Sequence, residues 1–116
     1  PDEYEEFVWT DILFMRTLNM SQARRRVEKH ICPFPLDIVE RLINRYSNPG
    51  DVVFDPFGGL HTVPYMAIQM GRRGAAVELN ADYWRNGVKY CRDAEDEKTQ
   101  IVMFDMAEFD AQAVAA

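Results

Sequence analysis

Cysteine is scarce in this chain. Cys32 and Cys91 are the only two among 116 residues, so there is no disulfide framework, and such usage fits a reducing cytoplasm. His30 and Cys32 stand too close together and are too few to hold zinc, so no metal site is expected. Long apolar runs are missing too. Nothing approaches the roughly 20 residues of a membrane span, and no basic-then-apolar leader opens the chain. The expectation is a soluble cytoplasmic protein with no membrane partner. Positive charge is in deficit: a net charge of −6 and a pI near 4.8 argue against this piece gripping a phosphate backbone unaided. The triplet Arg24, Arg25 and Arg26 is the basic exception. Such clusters are solvated faces, with a DNA contact as the competing reading.

A hydrophobic share of 47% over this length suffices for one core, and one domain is the ceiling. The chain starts at Pro1 rather than methionine, which reads as a fragment or a trimmed chain. Residues 1–29 lack a clean period and read as an N-terminal extension or linker, with a short extended piece at Phe7, Val8 and Trp9. Residues 30–110 carry the ordered pattern, and the small-residue tail 111–116 is expected to fray.

Within that middle part, Leu36, Val39, Leu42, Ile43 and Tyr46 recur at helical spacing, and Asn48-Pro49-Gly50 stops the helix. Asp51 to Asp55 reads as a short strand buried on both faces, because Val52, Val53 and Phe54 are apolar without alternation. A second helix is expected from Thr62, its N-cap, to Met70, with Gly71 as the stop. Gly74 to Leu79 gives another strand. Asn80 caps a third helix, in which Trp84, Val88 and Cys91 share a face, and Gln100 to Phe104 reads as a last strand. Strand, glycine loop, helix, strand at this length is the crossover between parallel strands. The fold class is therefore α/β: a doubly wound, Rossmann-like parallel sheet, or part of one.

Ligands of such sheets sit beyond the carboxyl ends of the strands, where the first loop turns into its helix. In DVVFDPFGGLHT, residues 51–62, Gly58 and Gly59 keep no side chain between backbone and ligand. The helix beyond them offers unpaired N–H groups, and Asp55 adds a carboxylate suited to an ammonium or hydroxyl donor. Glu78 follows Asp55 by 23 residues, near the spacing of about 20 at which an acidic residue takes ribose hydroxyls. Together these parts suit an adenosine ligand with a positive amino-acid tail, as in S-adenosylmethionine. The bland alternative is a glycine-rich turn and a helix-capping acid. G-x-G-x-x-G is absent, which counts against a nicotinamide or flavin dinucleotide.

Three stretches, KHICPFPLDIVERLI, SNPGDVVFDPFGGLHT and GRRGAAVELNADYW, resemble the carboxyl-terminal, cofactor-binding part of the DNA amino-methyltransferases that modify adenine N6 or cytosine N4. The likeness is to the subclass whose cofactor motifs follow the catalytic ones, covers about residues 27 to 90, and keeps the family's motif order and spacing. TLNMSQARRRVEKH further resembles phage and prophage members. The resemblance implies a site-specific, S-adenosylmethionine-dependent enzyme acting on double-stranded DNA. It implies that Asp55, Phe57, Gly58, Gly59 and Thr62 surround the methionine part of the cofactor, with Phe57 packed against it. Glu78 would bind the ribose hydroxyls, and His30, Pro33 and Phe34 would line the methionine end. Phe34 and Phe57 as ordinary core aromatics are the alternative.

Two departures from the family pattern stand out. The loop D-P-F-x-G-x-G-T has glycine where this chain has His61, and glycine-only backbone angles cost another residue about 1–3 kcal/mol. The expectation is a side chain that intrudes on the cofactor, so that His61→Gly tightens binding; a tolerated surface histidine is the alternative. Second, the six prolines are never adjacent, so the family's catalytic Asp/Asn/Ser-Pro-Pro-aromatic motif, which grips a flipped base, is absent. No catalytic residue is assigned, and the chain by itself is expected to be inactive. A non-catalytic, methyltransferase-like module with an association role is the competing function. The expected partners are a missing catalytic half or a second copy.

Overall fold

The computed structural model describes residues 8–18 and 34–115, with side chains through residue 106. His30, Pro33, Cys32 and the arginine triplet lie outside the described residues. Five elements follow in order: α1 (Leu36–Tyr46), β1 (Val52–Asp55), α2 (Thr62–Gln69), β2 (Arg73–Ala76) and α3 (Ala81–Ala115). The strands pair in parallel, Val52 opposite Arg73 through Asp55 opposite Ala76. This is the strand-loop-helix-strand unit expected from the sequence.

Helix α1 buries Leu36, Val39 and Ile43 against Met66 and Ala67 of α2, with Val53 packed at the edge of the cluster. Burying side chains of this kind stabilises by about 1.5–3 kcal/mol each. The same spacing that forms the helix builds the core. Helix α2 reaches β2 closely because Gly74 has no side chain: a β-carbon there would lie 2.6 Å from Cα of Pro64. Gly71, at φ 78°, ends α2 as expected.

Residues 8–18, which show no period, are held on α1 by charge. Arg16 donates to Asp37 at 2.7 Å and to Glu40 at 2.8 Å. Arg41 reaches both carboxylate oxygens of Asp11, at 2.8 and 2.6 Å, and lies over the Trp9 ring. The backbone N–H of Leu13 also donates to Asp37. The Arg16 guanidinium, then that N–H, hold the Asp37 carboxyl below its ordinary range.

Four expectations are corrected. β1 is not covered on both faces: Val52 and Phe54 are 57% and 58% exposed. An unalternating apolar run shows that both faces are hydrophobic; only the face under α2 has a partner here. β2 ends at Ala76, so Glu78 stands beyond the strand rather than inside it. Pairing persists one residue further, Val77 donating to the Asp55 carbonyl and accepting from Gly58, before the chain turns. The N-cap of α2 is His61, not Thr62. Finally, Gln100 to Phe104 is helical, because α3 runs unbroken from Ala81 to Ala115. The β-branched and aromatic run has no strand beside it among the described residues, and helical bonds satisfy its backbone locally.

Candidate functional site

The loop from Asp55 to Thr62 leaves the carboxyl end of β1 and enters α2. Its opening is set by Asp55, whose Oδ1 accepts the Phe57 N–H at 2.8 Å, a local turn that starts the reversal. Gly58 then donates to the Val77 carbonyl at 2.9 Å, fastening the loop to the end of β2. His61 closes the loop, donating to the Gly58 carbonyl at 2.7 Å while its own carbonyl accepts the Tyr65 N–H as the first bond of α2.

Glu78 faces this loop. Its Oε2 accepts the Gly59 N–H at 2.7 Å, and its Oε1 accepts the Asn80 N–H at 2.7 Å. Those N–H groups, Asn80 first, hold its carboxyl below the ordinary value of 4.5. Each carboxylate oxygen keeps a second lone pair, so the group can still accept hydroxyl donors. The chain leaves Glu78 directly into α3, which Asn80 caps by accepting from the N–H groups of Asp82 and Tyr83. That cap was legible in the sequence.

No side chain caps α2. Pro64 has no N–H and the Tyr65 N–H bonds the His61 carbonyl, so Thr62 and Val63 carry the first-turn N–H groups left for an anionic or polar ligand group. Phe57 stands out from the loop, 88% exposed, and Thr62 is buried at the start of α2. Asp55, Phe57, Gly58, Gly59, Thr62 and Glu78 are thus brought to one end of the sheet. Phe34 is placed elsewhere: it is half exposed and lines a groove with Leu42, Tyr46, Val52 and Phe54.

His61 is not a surface residue. Its backbone is left-handed, φ 62° and ψ 37°, a conformation that favours glycine, and the residue is 5% exposed. The imidazole is enclosed between Gly58 and Gly87 of α3. A β-carbon on Gly58 would stand 2.8 Å from Cδ2, and one on Gly87 would stand 2.5 Å from Nδ1. Nε2 is buried without a hydrogen-bond partner. Burial lowers the His61 pKa, against the opposing pull of the Glu78 and Asp55 charges. Gly87 was not singled out from the sequence. Its signal was a glycine inside a helix, which costs about 1 kcal/mol of propensity and so points to a packing reason.

A family model for DNA methylase matches residues 2–89. The chain belongs to this DNA methylase family. It is 39% identical over 62 residues to the DNA adenine methyltransferase YhdJ of Escherichia coli K12, covering 53% of this chain and 21% of that protein. It is 43% identical over 54 residues to the type II methyltransferase M1.MboII of Moraxella bovis, covering 47% of this chain and 21% of that one. The chain therefore spans about a fifth of the length of these curated relatives. A Thermus thermophilus structure described as a DNA modification methylase, complexed with S-adenosyl-L-methionine, superposes with a TM-score of 0.50 at 41% identity. That match covers 53% of this chain and 26% of the other. The α/β unit is thus part of a Rossmann-like methyltransferase fold.

Proposed function

We propose that the loop from Asp55 to Thr62, with Glu78, binds S-adenosylmethionine, and that this methylase-family chain is the cofactor-binding portion of a DNA methyltransferase acting on adenine N6 or cytosine N4. The carrying observation is the convergence of the Glu78 carboxylate on the loop through the Gly59 N–H. Glu78 keeps acceptor capacity for ribose hydroxyls, Asp55 supplies a carboxylate for the α-ammonium, and the uncapped start of α2 offers donors. The exposed Phe57 ring supplies an apolar surface for the cofactor to cover. When bound, S-adenosylmethionine supplies an electrophilic methyl group on a sulfonium. The residues here orient it; none is positioned as a proton-transfer group, and the base-gripping motif is absent from this sequence. Double-stranded DNA and a catalytic half carrying that motif are the partners this reading requires.

His30 and Pro33 remain candidate cofactor contacts on family resemblance alone. Phe34, seated in the groove beside β1, needs a different role or a rearranged position to join them.

Thermal melting with S-adenosylmethionine tests the proposal. Ligand at 100 times its dissociation constant stabilises the fold by about 2.7 kcal/mol. An absent shift at millimolar ligand favours the competing reading, an association module that has kept the fold but not the ligand.

A further inference from the structure

Three observations meet at one position in α3. Gly87 is buried, inside a long helix, where glycine is otherwise a poor choice. The atoms facing it are the Cβ, Cγ and Nδ1 of His61, the base of a side chain whose backbone is fixed in a left-handed turn. On its other flank the same imidazole lies against Gly58, which bonds Val77 and neighbours the Gly59 donor to Glu78. The ring therefore has no slack on either side.

We propose that Gly87 is a positioning residue of the ligand site. By carrying no side chain it gives the His61 imidazole a berth inside the fold, and this keeps the loop from Asp55 to Thr62 in its ligand-accepting shape. The inference rests on the proposed S-adenosylmethionine site. A methyl group at position 87 would fall 2.5 Å from Nδ1 and 2.9 Å from Cβ of His61. Such contacts at the root of a side chain cannot be relieved by a terminal rotation. The ring must then press on Gly58 and carry the Gly59–Glu78 contact with it. Glycine lost from the loop at position 61 is in this sense matched by glycine held in α3 at position 87.

The test is a double-mutant cycle of Gly87→Ala and His61→Gly, read by calorimetry with S-adenosylmethionine, by melting temperature and by the His61 ring resonances. His30 is the other histidine, so the His61→Gly spectrum assigns them. Gly87→Ala alone is expected to weaken binding by about tenfold or more and to shift the His61 resonances. In the His61→Gly background the same change should leave affinity within about twofold and raise the melting temperature, as alanine for glycine in a helix normally does. A glycine that merely packs α3 would lower the melting temperature alike in both backgrounds and leave affinity alone; that outcome overturns the proposal. So would unmoved His61 resonances in Gly87→Ala. If Gly87→Ala does not fold, recovery of fold and binding in the double variant supports the berth, and failure to recover overturns it. A wild-type chain that does not bind S-adenosylmethionine defeats the proposed function and, with it, the role of Gly87 at a ligand site. The resonances and the sign of the melting change then still decide whether Gly87 berths the ring.

Discussion

The backbone N–H of Gly59 donates a 2.7 Å hydrogen bond to Oε2 of Glu78, across 19 residues of chain. The contact joins the turn after β1 to the turn after β2, and with Gly58 bonded to Val77 it fixes the loop at two successive residues. A hydrogen bond to a charged group contributes about 1.5–3 kcal/mol. Glu78→Ala removes that bond, the one to Asn80, and the proposed ribose acceptor together. It should weaken S-adenosylmethionine by at least about tenfold in calorimetry. An unchanged dissociation constant would place the adenosine elsewhere.

Acid should undo the same contact. The Glu78 carboxyl is held below its ordinary 4.5 by backbone N–H donors. A group whose folded pKa is depressed stabilises the fold above its unfolded pKa, and that contribution disappears as pH falls through the folded value. Asp37 and Asp11, both lowered by arginine hydrogen bonds, act in the same direction. The informative quantity is therefore the difference between wild type and Glu78→Gln. The melting-temperature gap should be widest at neutral pH and shrink below about pH 4.5. A gap that stays constant down to strong acid would mean that the carboxylate form contributes nothing.

Much of this arrangement was legible in the sequence, and the failures have physical causes. The apolar spacing of Leu36, Val39 and Ile43 gave both a helix and its buried face, and Asn80 and Gly71 marked helix ends by their own chemistry. What could not be read were effects decided by distant chain. Arg16 and Arg41 hold residues 8–18 through acids 21 to 30 positions away, and no local period records that. Val52 and Phe54 looked doubly buried because composition reports what a face wants, not what covers it. Gln100 to Phe104 looked like a strand for the same reason. Asp55, the glycines and Glu78 were picked out by type and spacing, and the structure brings them to one end of the sheet. The berth of His61 depended on Gly87, which only tertiary packing brings near.

The buried position of His61 argues for little change in affinity on His61→Gly, where the departure from the loop pattern alone suggested tighter binding. A residue that is 5% exposed, with Nε2 shut from solvent, does not project into an open ligand space. His61→Gly relieves a left-handed backbone worth about 1–3 kcal/mol but empties the berth, and a cavity of side-chain size costs a similar amount. The two oppose, so stability should change by less than about 2 kcal/mol in denaturant unfolding. Affinity for S-adenosylmethionine should stay within about threefold. A tenfold gain would show that the ring obstructs the ligand after all.

Phe57 separates binding from folding. Because the residue is 88% exposed, truncation to alanine removes almost no buried surface, and stability should move by less than about 0.5 kcal/mol. If the cofactor covers the ring, Phe57→Ala should weaken binding by about tenfold with an unaltered melting temperature of the free protein. Loss of stability without loss of affinity would assign the ring to packing with some other segment.

The open side of the sheet predicts association. β1 pairs with β2, and among the described residues the sheet has these two strands. The other edge of β1 presents ladder groups without a strand partner among the described residues, a template for pairing with another chain. Beside it a groove of about 430 Å³ is lined by Phe34, Leu42, Tyr46, Val52 and Phe54, and exposed apolar surface of this kind promotes contact between molecules. The chain should therefore self-associate, with an average mass in light scattering that rises with concentration. Val52→Lys and Phe54→Lys put charge on the exposed face without replacing a side chain of the buried Val39, Ile43 and Met66 core, and together they should return the mass to that of a monomer at unchanged helicity. Monomeric wild type at high concentration would show that this face is covered from within the chain. Association surviving both lysines would move the contact to the exposed Ile101–Met106 stretch of α3, where Phe104→Lys is the corresponding probe.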